Sequence, residues 1–228
     1  MTASRLSPDT AGEPQIDLFE STLPGARQAI GEQAFVLRGF ALPLVPQILA
    51  SLADIERASP FRHMTTPGGF TMSVALTNCG DLGWTTDRRG YRYTRHDPQT
   101  GAAWPALPHA FSRLAGETAA QAGFQDFSPD ACLINRYEPG ARLSLHQDKD
   151  EAGYDAPIVS VSLGIPAIFL FGGHRRSDRS ARIPLAHGDV VVWGGIDRMR
   201  YHGIAPIAQD RHPLLDAQRI NLTFRKAG

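Results

Sequence analysis

His146-Gln147-Asp148, then Tyr201-His202-Gly203 far downstream, then Arg219 and Arg225, are the residues whose types and spacing could do chemistry. Side chains two apart on an extended backbone point the same way, so His146 and Asp148 would offer an imidazole and a carboxylate to one point. Two imidazoles and a carboxylate can occupy one face of a ferrous ion and leave the other open, as in non-haem iron oxygenases. The same donors also serve catalytic zinc. Three later histidines compete for the third place. His187 opens a Gly-Asp turn, and His212 precedes Pro213 in a polar stretch. His202 follows one strand-like segment and precedes another; spacing favours it modestly.

An acid co-substrate would need a fixed, permanently charged fork beyond the distal histidine, and Arg219 and Arg225 offer two. Strand alternation places Arg219, Asn221, Thr223 and Arg225 on one face and Ile220, Leu222 and Phe224 on the other. Six residues of straight strand span roughly 20 Å, too far for both arginines to hold one small dicarboxylate unless both lean inward. Burying them without anions would be costly, so that face is either solvated or occupied by an acid. Asn135 and Tyr137 share a strand face and offer an amide and a phenol to the same acid.

The elements that must position these groups are legible in part. Val45, Ile48, Leu49, Leu52 and Ile55 form an apolar stripe at helical spacing with Pro46 in the first turn, and Phe111, Leu114, Ala115, Thr118, Ala119 and Ala122 form another that Gly123 would stop. From Ala131 onward the texture is one of short strands: 158–163, 167–171, 189–193 and 219–225, with Gly/Pro turns and no helices between them. That pattern predicts an all-β sandwich or barrel after a mixed N-terminal half. Residues 1–15 are rich in Ser, Thr, Pro, Asp and Glu and read as a loose tail.

At 228 residues the chain fits one domain with a sizeable core. Its 23 basic and 23 acidic residues cancel, so any polyanion must be held by local patches. Two cysteines, no apolar leader and no long apolar run predict a soluble, intracellular protein with reduced thiols.

Asn135-Arg136-Tyr137, His146-Gln147-Asp148-Lys149-Asp150 and the segments 157–164, 187–193 and 219–225 resemble the AlkB family of bacterial Fe(II)- and 2-oxoglutarate-dependent DNA/RNA dealkylases. The resemblance extends upstream through Pro67-Gly68-Gly69, 71–74, 77–80 and 83–86, covering roughly residues 35 to 226. Before it only Asp17-Leu18-Phe19 match. The resemblance implies a mostly β (α+β) fold, a double-stranded β-helix or jelly roll with supporting helices and an N-terminal nucleotide-recognition lid. The expected layout is one catalytic domain over 16–228, with 60–100 forming much of the lid and 131–226 the jelly-roll core. It further implies His202 as the third metal ligand, His187 as structural, and Leu133, Asn135, Tyr137, Arg219, Asn221 and Arg225 around 2-oxoglutarate. Trp84, Tyr91, Asp150 and Arg176 would surround the substrate base. Leu76 departs from the family pattern, which has methionine there, and bears on packing under the lid.

The activity so implied is oxidative dealkylation with Fe(II), 2-oxoglutarate and O2, acting on N1-methyladenine and N3-methylcytosine in single-stranded DNA, and also in double-stranded DNA and RNA. Formaldehyde, succinate and CO2 would be released by a cytoplasmic monomer. A methyl on the Watson–Crick edge is reachable only when the base is unpaired or flipped out. Trp84 and Tyr91 can stack on it, and Asp150 can favour its cationic form. Arg88, Arg89, Arg92 and Arg95, and Arg175, Arg176, Arg179 and Arg182, are candidate phosphate contacts. Two rivals stand beside this reading: an Fe(II)/2-oxoglutarate hydroxylase of a protein or small molecule, and a non-catalytic metal-containing β-barrel that binds nucleic acid.

Overall fold

The structure is a computed structural model that describes residues 23–228. The expected tail and the Asp17-Leu18-Phe19 match lie outside those residues. Both apolar stripes form helices: α1 (Val45–Ala58) buries Val45, Ile48, Leu52 and Ile55, and α2 (His109–Gln121) buries Phe111, Leu114, Ala115, Thr118 and Ala119. Pro46 sits in the first turn of α1, where its missing amide hydrogen costs nothing. Gly123, at φ +99°, turns the chain out of α2.

The strands are numbered in chain order. One antiparallel sheet runs β1 (Arg27–Ala29), β2 (Ala34–Leu37), β12 (Val190–Trp193), β9 (Ile158–Gly164), β14 (Arg219–Arg225), β7 (Ala131–Tyr137), β4 (Thr71–Gly80), β3 (Arg62–Thr65). A second runs β11 (Ala181–Leu185), β10 (Ala167–Phe171), β13 (His202–Ile204), β8 (Leu143–His146). A separate hairpin pairs β5 (Gly83–Asp87) with β6 (Gly90–Thr94). This is the two-sheet β architecture the strand pattern predicts, and it agrees with the jelly-roll core the resemblance implies. The large sheet recruits β1 to β4 from the N-terminal half, so the chain before Ala131 supplies strands as well as helices.

Alternation decides what each face of the large sheet does. Ile220, Leu222 and Phe224 of β14, with Val159, Val161 and Leu163 of β9, pack against α1 and α2; Phe111 meets Phe224 edge to face at 5.9 Å. The opposite face meets the second sheet. There Ile158, Val191 and Trp193 pack with Phe169, Phe171, Ile183 and Leu185. Toward β14 and β7 that inner face becomes polar, and the two sheets no longer fill the space between them. A smaller apolar cluster of Met64, Leu76 and Leu133 supports Met72 and Trp84. Leu76 is fully buried there, so the shorter side chain is accommodated.

Candidate active site

A cavity of about 790 Å³ opens between the sheets. Its wall carries His146, Asp148 and His202; Leu133, Asn135, Tyr137, Asn221 and Arg225; and Trp84, Tyr91, Asp150 and Arg176. Of the residues expected in the site only Arg219 is absent from this surface. It lies behind Tyr137, its guanidinium carbon 4.9 Å from the centre of that ring.

Strand pairing brings the first three together. β13 pairs with β8 so that His202 stands directly across from His146, and opposite residues share a face. Asp148 follows two residues after His146. Their ligand atoms all lie within 4.8 Å of one another. The His146 and His202 Nδ1 atoms meet the carbonyl oxygens of Ser144 and Arg200 at 2.9 and 3.0 Å. A carbonyl only accepts, so each Nδ1 carries the proton and each Nε2 keeps its lone pair. Those Nε2 atoms lie 3.5 and 3.8 Å from the Asp148 carboxylate. Burial brings His202 down to about 3, with the charge of His146 adding to it against the upward pull of Asp148. Burial would raise Asp148, but the Arg225 guanidinium and the two imidazoles hold it well below the usual carboxylate range. Two imidazole nitrogens and a carboxylate converging within 4.8 Å suit a divalent cation.

His187 and His212 sit elsewhere, stacked on each other at 4.2 Å. His187 Nδ1 accepts the Gly164 amide at 2.9 Å, holding the turn between β9 and β10.

The pairing of β14 with β7 and β9 sets opposite one another Arg219 and Tyr137, Asn221 with Asn135 and Ser162, and Thr223 with Leu133 and Ser160. Asn221 is oriented by donating to Ser160 Oγ (2.8 Å) and Val161 O (2.9 Å). Arg219, 1% exposed, donates to Ser162 Oγ at 2.9 Å, while its Nε and Nη1 have no partner among the described residues, and neither has the Tyr137 hydroxyl. Burial lowers the Arg219 pKa and raises that of Tyr137. A buried guanidinium with two open donors beside an open phenol suits a carboxylate ligand.

Arg225, expected with Arg219 around 2-oxoglutarate, lines the cavity and holds the Asp148 carboxylate. Its Nε and Nη2 donate to Asp148 Oδ2 at 2.9 and 2.7 Å, and its Nε lies 3.3 Å from Glu151 Oε1. Arg225 thus has carboxylate partners, and Arg219 has none among the described residues. Asp150, expected to face a base, accepts the Trp84 indole N–H at 2.8 Å, and Trp84 stacks on Tyr91 with centroids 5.6 Å apart at 18°. Half of one arginine cluster is engaged at home, since Arg89 and Arg92 hold Asp87 at 3.1 and 2.8 Å. Arg176 is exposed near the Tyr201 ring.

Sequence reasoning missed Glu151 and Arg198. Arg198, 3% exposed, donates to the Asp148 carbonyl at 2.9 Å and to the Ala156 carbonyl at 3.2 Å, and lies 3.3 Å from Glu151. The Tyr93 hydroxyl donates to Glu151 at 3.0 Å. Nothing in a local pattern distinguishes a buried acid in a polar run from a solvated one.

Comparisons with known proteins point the same way. The model of the 2OG-Fe(II) oxygenase superfamily matches residues 34–225. The alpha-ketoglutarate-dependent dioxygenase AlkB of Escherichia coli (strain K12) is 56% identical, over 93% of this chain and 98% of its own. The alpha-ketoglutarate-dependent dioxygenase AlkB homolog of Caulobacter vibrioides (strain NA1000 / CB15N) is 44% identical, over 78% of this chain and 79% of its own. The solved structure of OsALKBH1 superposes with a TM-score of 0.78 at 27% identity, covering 88% of this chain and 99% of that one.

Proposed function

The chain belongs to the 2OG-Fe(II) oxygenase superfamily and, within it, to the AlkB dioxygenases, and we propose that its cavity takes an N-alkylated nucleobase as substrate. It is an Fe(II)- and 2-oxoglutarate-dependent dioxygenase that dealkylates nucleic acid oxidatively. We assign iron to His146, Asp148 and His202, and 2-oxoglutarate to Arg219, Arg225, Tyr137, Asn135 and Asn221 over Leu133. An acceptor triad on the cavity wall, with a buried guanidinium just behind Tyr137 that has no anion among the described residues, carries this assignment.

When bound, iron with 2-oxoglutarate and O2 supplies the oxidising power: the co-substrate leaves as succinate and CO2, and a hydroxylated N-methyl group departs as formaldehyde. The chain's own residues bind and orient. Arg219 holds the far carboxylate of the co-substrate, and Tyr137 donates its hydroxyl there. Arg225 stays with Asp148 and fixes the carboxylate toward the metal. The Trp84–Tyr91 pair is already closed face to face, so a base stacks on its outer side, beneath which Asp150 holds Trp84 in place. The remaining Asp150 charge favours cationic N1-methyladenine and N3-methylcytosine over the neutral parent bases. Single strands are the easier substrate because no pair need be broken. The hairpins within 60–100 form much of the lid over a single catalytic domain at 16–228. We further infer a cytoplasmic monomer, in keeping with free, buried Cys79 and Cys132 and with no described helix long and apolar enough to cross a membrane.

The test is the purified protein with Fe(II), 2-oxoglutarate and ascorbate, offered N1-methyladenine in single- and double-stranded oligonucleotides. One formaldehyde and one succinate per repaired base are expected, with His146→Ala and Asp148→Ala folded and inactive. Succinate release that no methylated oligonucleotide stimulates would transfer the reading to a hydroxylase of another substrate.

A further inference from the structure

Phe70 is left 77% exposed at the lip of the cavity. A scattered exposed apolar side chain needs no explanation, but this one is presented. It ends the turn Thr66-Pro67-Gly68-Gly69 between β3 and β4. The Thr66 amide donates to the Phe70 carbonyl at 2.8 Å, the Gly69 amide to the Thr66 carbonyl at 2.8 Å, and the Phe70 amide to Thr66 Oγ1 at 3.2 Å. Gly69 holds φ +83°, which another residue would adopt with strain. Gly68 lies against the ring, whose carbons would stand 3.4 Å from any Cβ added there. The ring therefore sits on a tied turn rather than a loose loop.

Its neighbours describe what it meets. Met72 and the half-exposed Tyr91 share the lip with it, and Arg142, Lys149 and Arg176 line the same cavity with exposed side chains. None of those three cations has a carboxylate partner among the described residues. Aromatic surface beside free cations fits a strand with phosphates and exposed base faces. Withdrawing one base into the cavity uncovers a face of its neighbour.

We propose that Phe70 stacks on the nucleobase adjacent to the one held in the cavity, so that the enzyme engages a strand rather than a lone nucleotide. The inference rests on the nucleic-acid reading above. Stacking on a single aromatic ring corresponds to roughly five- to hundredfold in affinity.

The experiment uses single-stranded oligonucleotides carrying N1-methyladenine flanked on either side by 2-aminopurine, and N1-methyladenosine monophosphate as a substrate with no neighbour. In the anaerobic complex with Fe(II) and 2-oxoglutarate, 2-aminopurine on one side should be quenched by the wild type and by Phe70→Trp, but not by Phe70→Ala. Phe70→Ala should also lower the oligonucleotide-to-mononucleotide ratio of kcat/KM by roughly five- to hundredfold. Unchanged quenching with an unchanged ratio overturns the proposal while leaving the enzyme's function intact. Concentration-dependent self-association lost in Phe70→Ala overturns it too, giving the ring to a second copy of the chain. If the wild type binds no methylated oligonucleotide, the nucleic-acid reading itself fails, and this inference with it.

Discussion

A guanidinium at 1% exposure with two donors unmade destabilises the protein that holds it. Arg219 is therefore better explained by a ligand than by the fold. Arg219→Leu should weaken 2-oxoglutarate by roughly 10- to 150-fold, the loss of a charge-assisted pair. It should leave the thermal midpoint of the ligand-free protein unchanged or higher. Calorimetric titration and a melting curve together check this; a large loss of stability with co-substrate affinity intact would assign Arg219 to the core. Asp150 gives a second prediction at this scale. Asp150→Asn should lower kcat/KM for cationic N1-methyladenine more than for a neutral adduct, and equal losses would show that its hydrogen bond to Trp84 is all it contributes.

Elements matter because the metal ligands come from separate segments. β8 and β13 bring His146 and His202 across from each other, but Asp148 leads into a loop with no ladder of its own. Arg198, three residues after the start of the short 3₁₀ turn Gly195–Asp197, ties that loop through the Asp148 and Ala156 carbonyls. Gln147 adds a bond to the Met199 carbonyl. Arg198→Gln should lower Co(II) affinity about 10- to 100-fold, as loss of outer support around a metal typically does. The visible absorption of the Co(II) protein reads this directly. The β9–β10 turn carries a different prediction. Burial and the neighbouring His212 hold His187 below the ordinary histidine value of 6.5, so the unfolded chain binds a proton that the folded one resists. Its contribution is fully present above about pH 6.5 and is lost as pH falls through the lowered folded value. Between pH 7 and pH 5 the thermal midpoint should fall, and His187→Gln should flatten that fall.

For the whole molecule, a net charge of zero leaves strand binding to local cations. Arg89 and Arg92 are taken up by Asp87, whereas Arg142, Lys149 and Arg176 line the cavity without a carboxylate partner among the described residues. Three phosphate contacts on a single strand give a slope of about −2 for log affinity against log salt. Fluorescence titration from low to moderate salt measures it, and a slope near zero would remove phosphate contacts from the account.

Local sequence by itself determined the helices at Val45 and Phe111, where burial of one face imposes a helical period, and the strands 158–163, 167–171 and 219–225, where β-rich and apolar runs fall between Gly/Pro breaks. Residue resemblance supplied the candidate site. Tertiary pairing decided the rest. From spacing, His187, His202 and His212 were nearly equivalent, until the register of β13 on β8 set one of them opposite His146. Arg219 and Arg225 look alike along β14, yet Arg225 lies beside Asp148 and Arg219 beside no carboxylate among the described residues, a difference made by what the fold packs at each end of the strand. Whether a charge is buried, and which partner it meets, depends on contacts between residues far apart in the chain, and no local pattern encodes them.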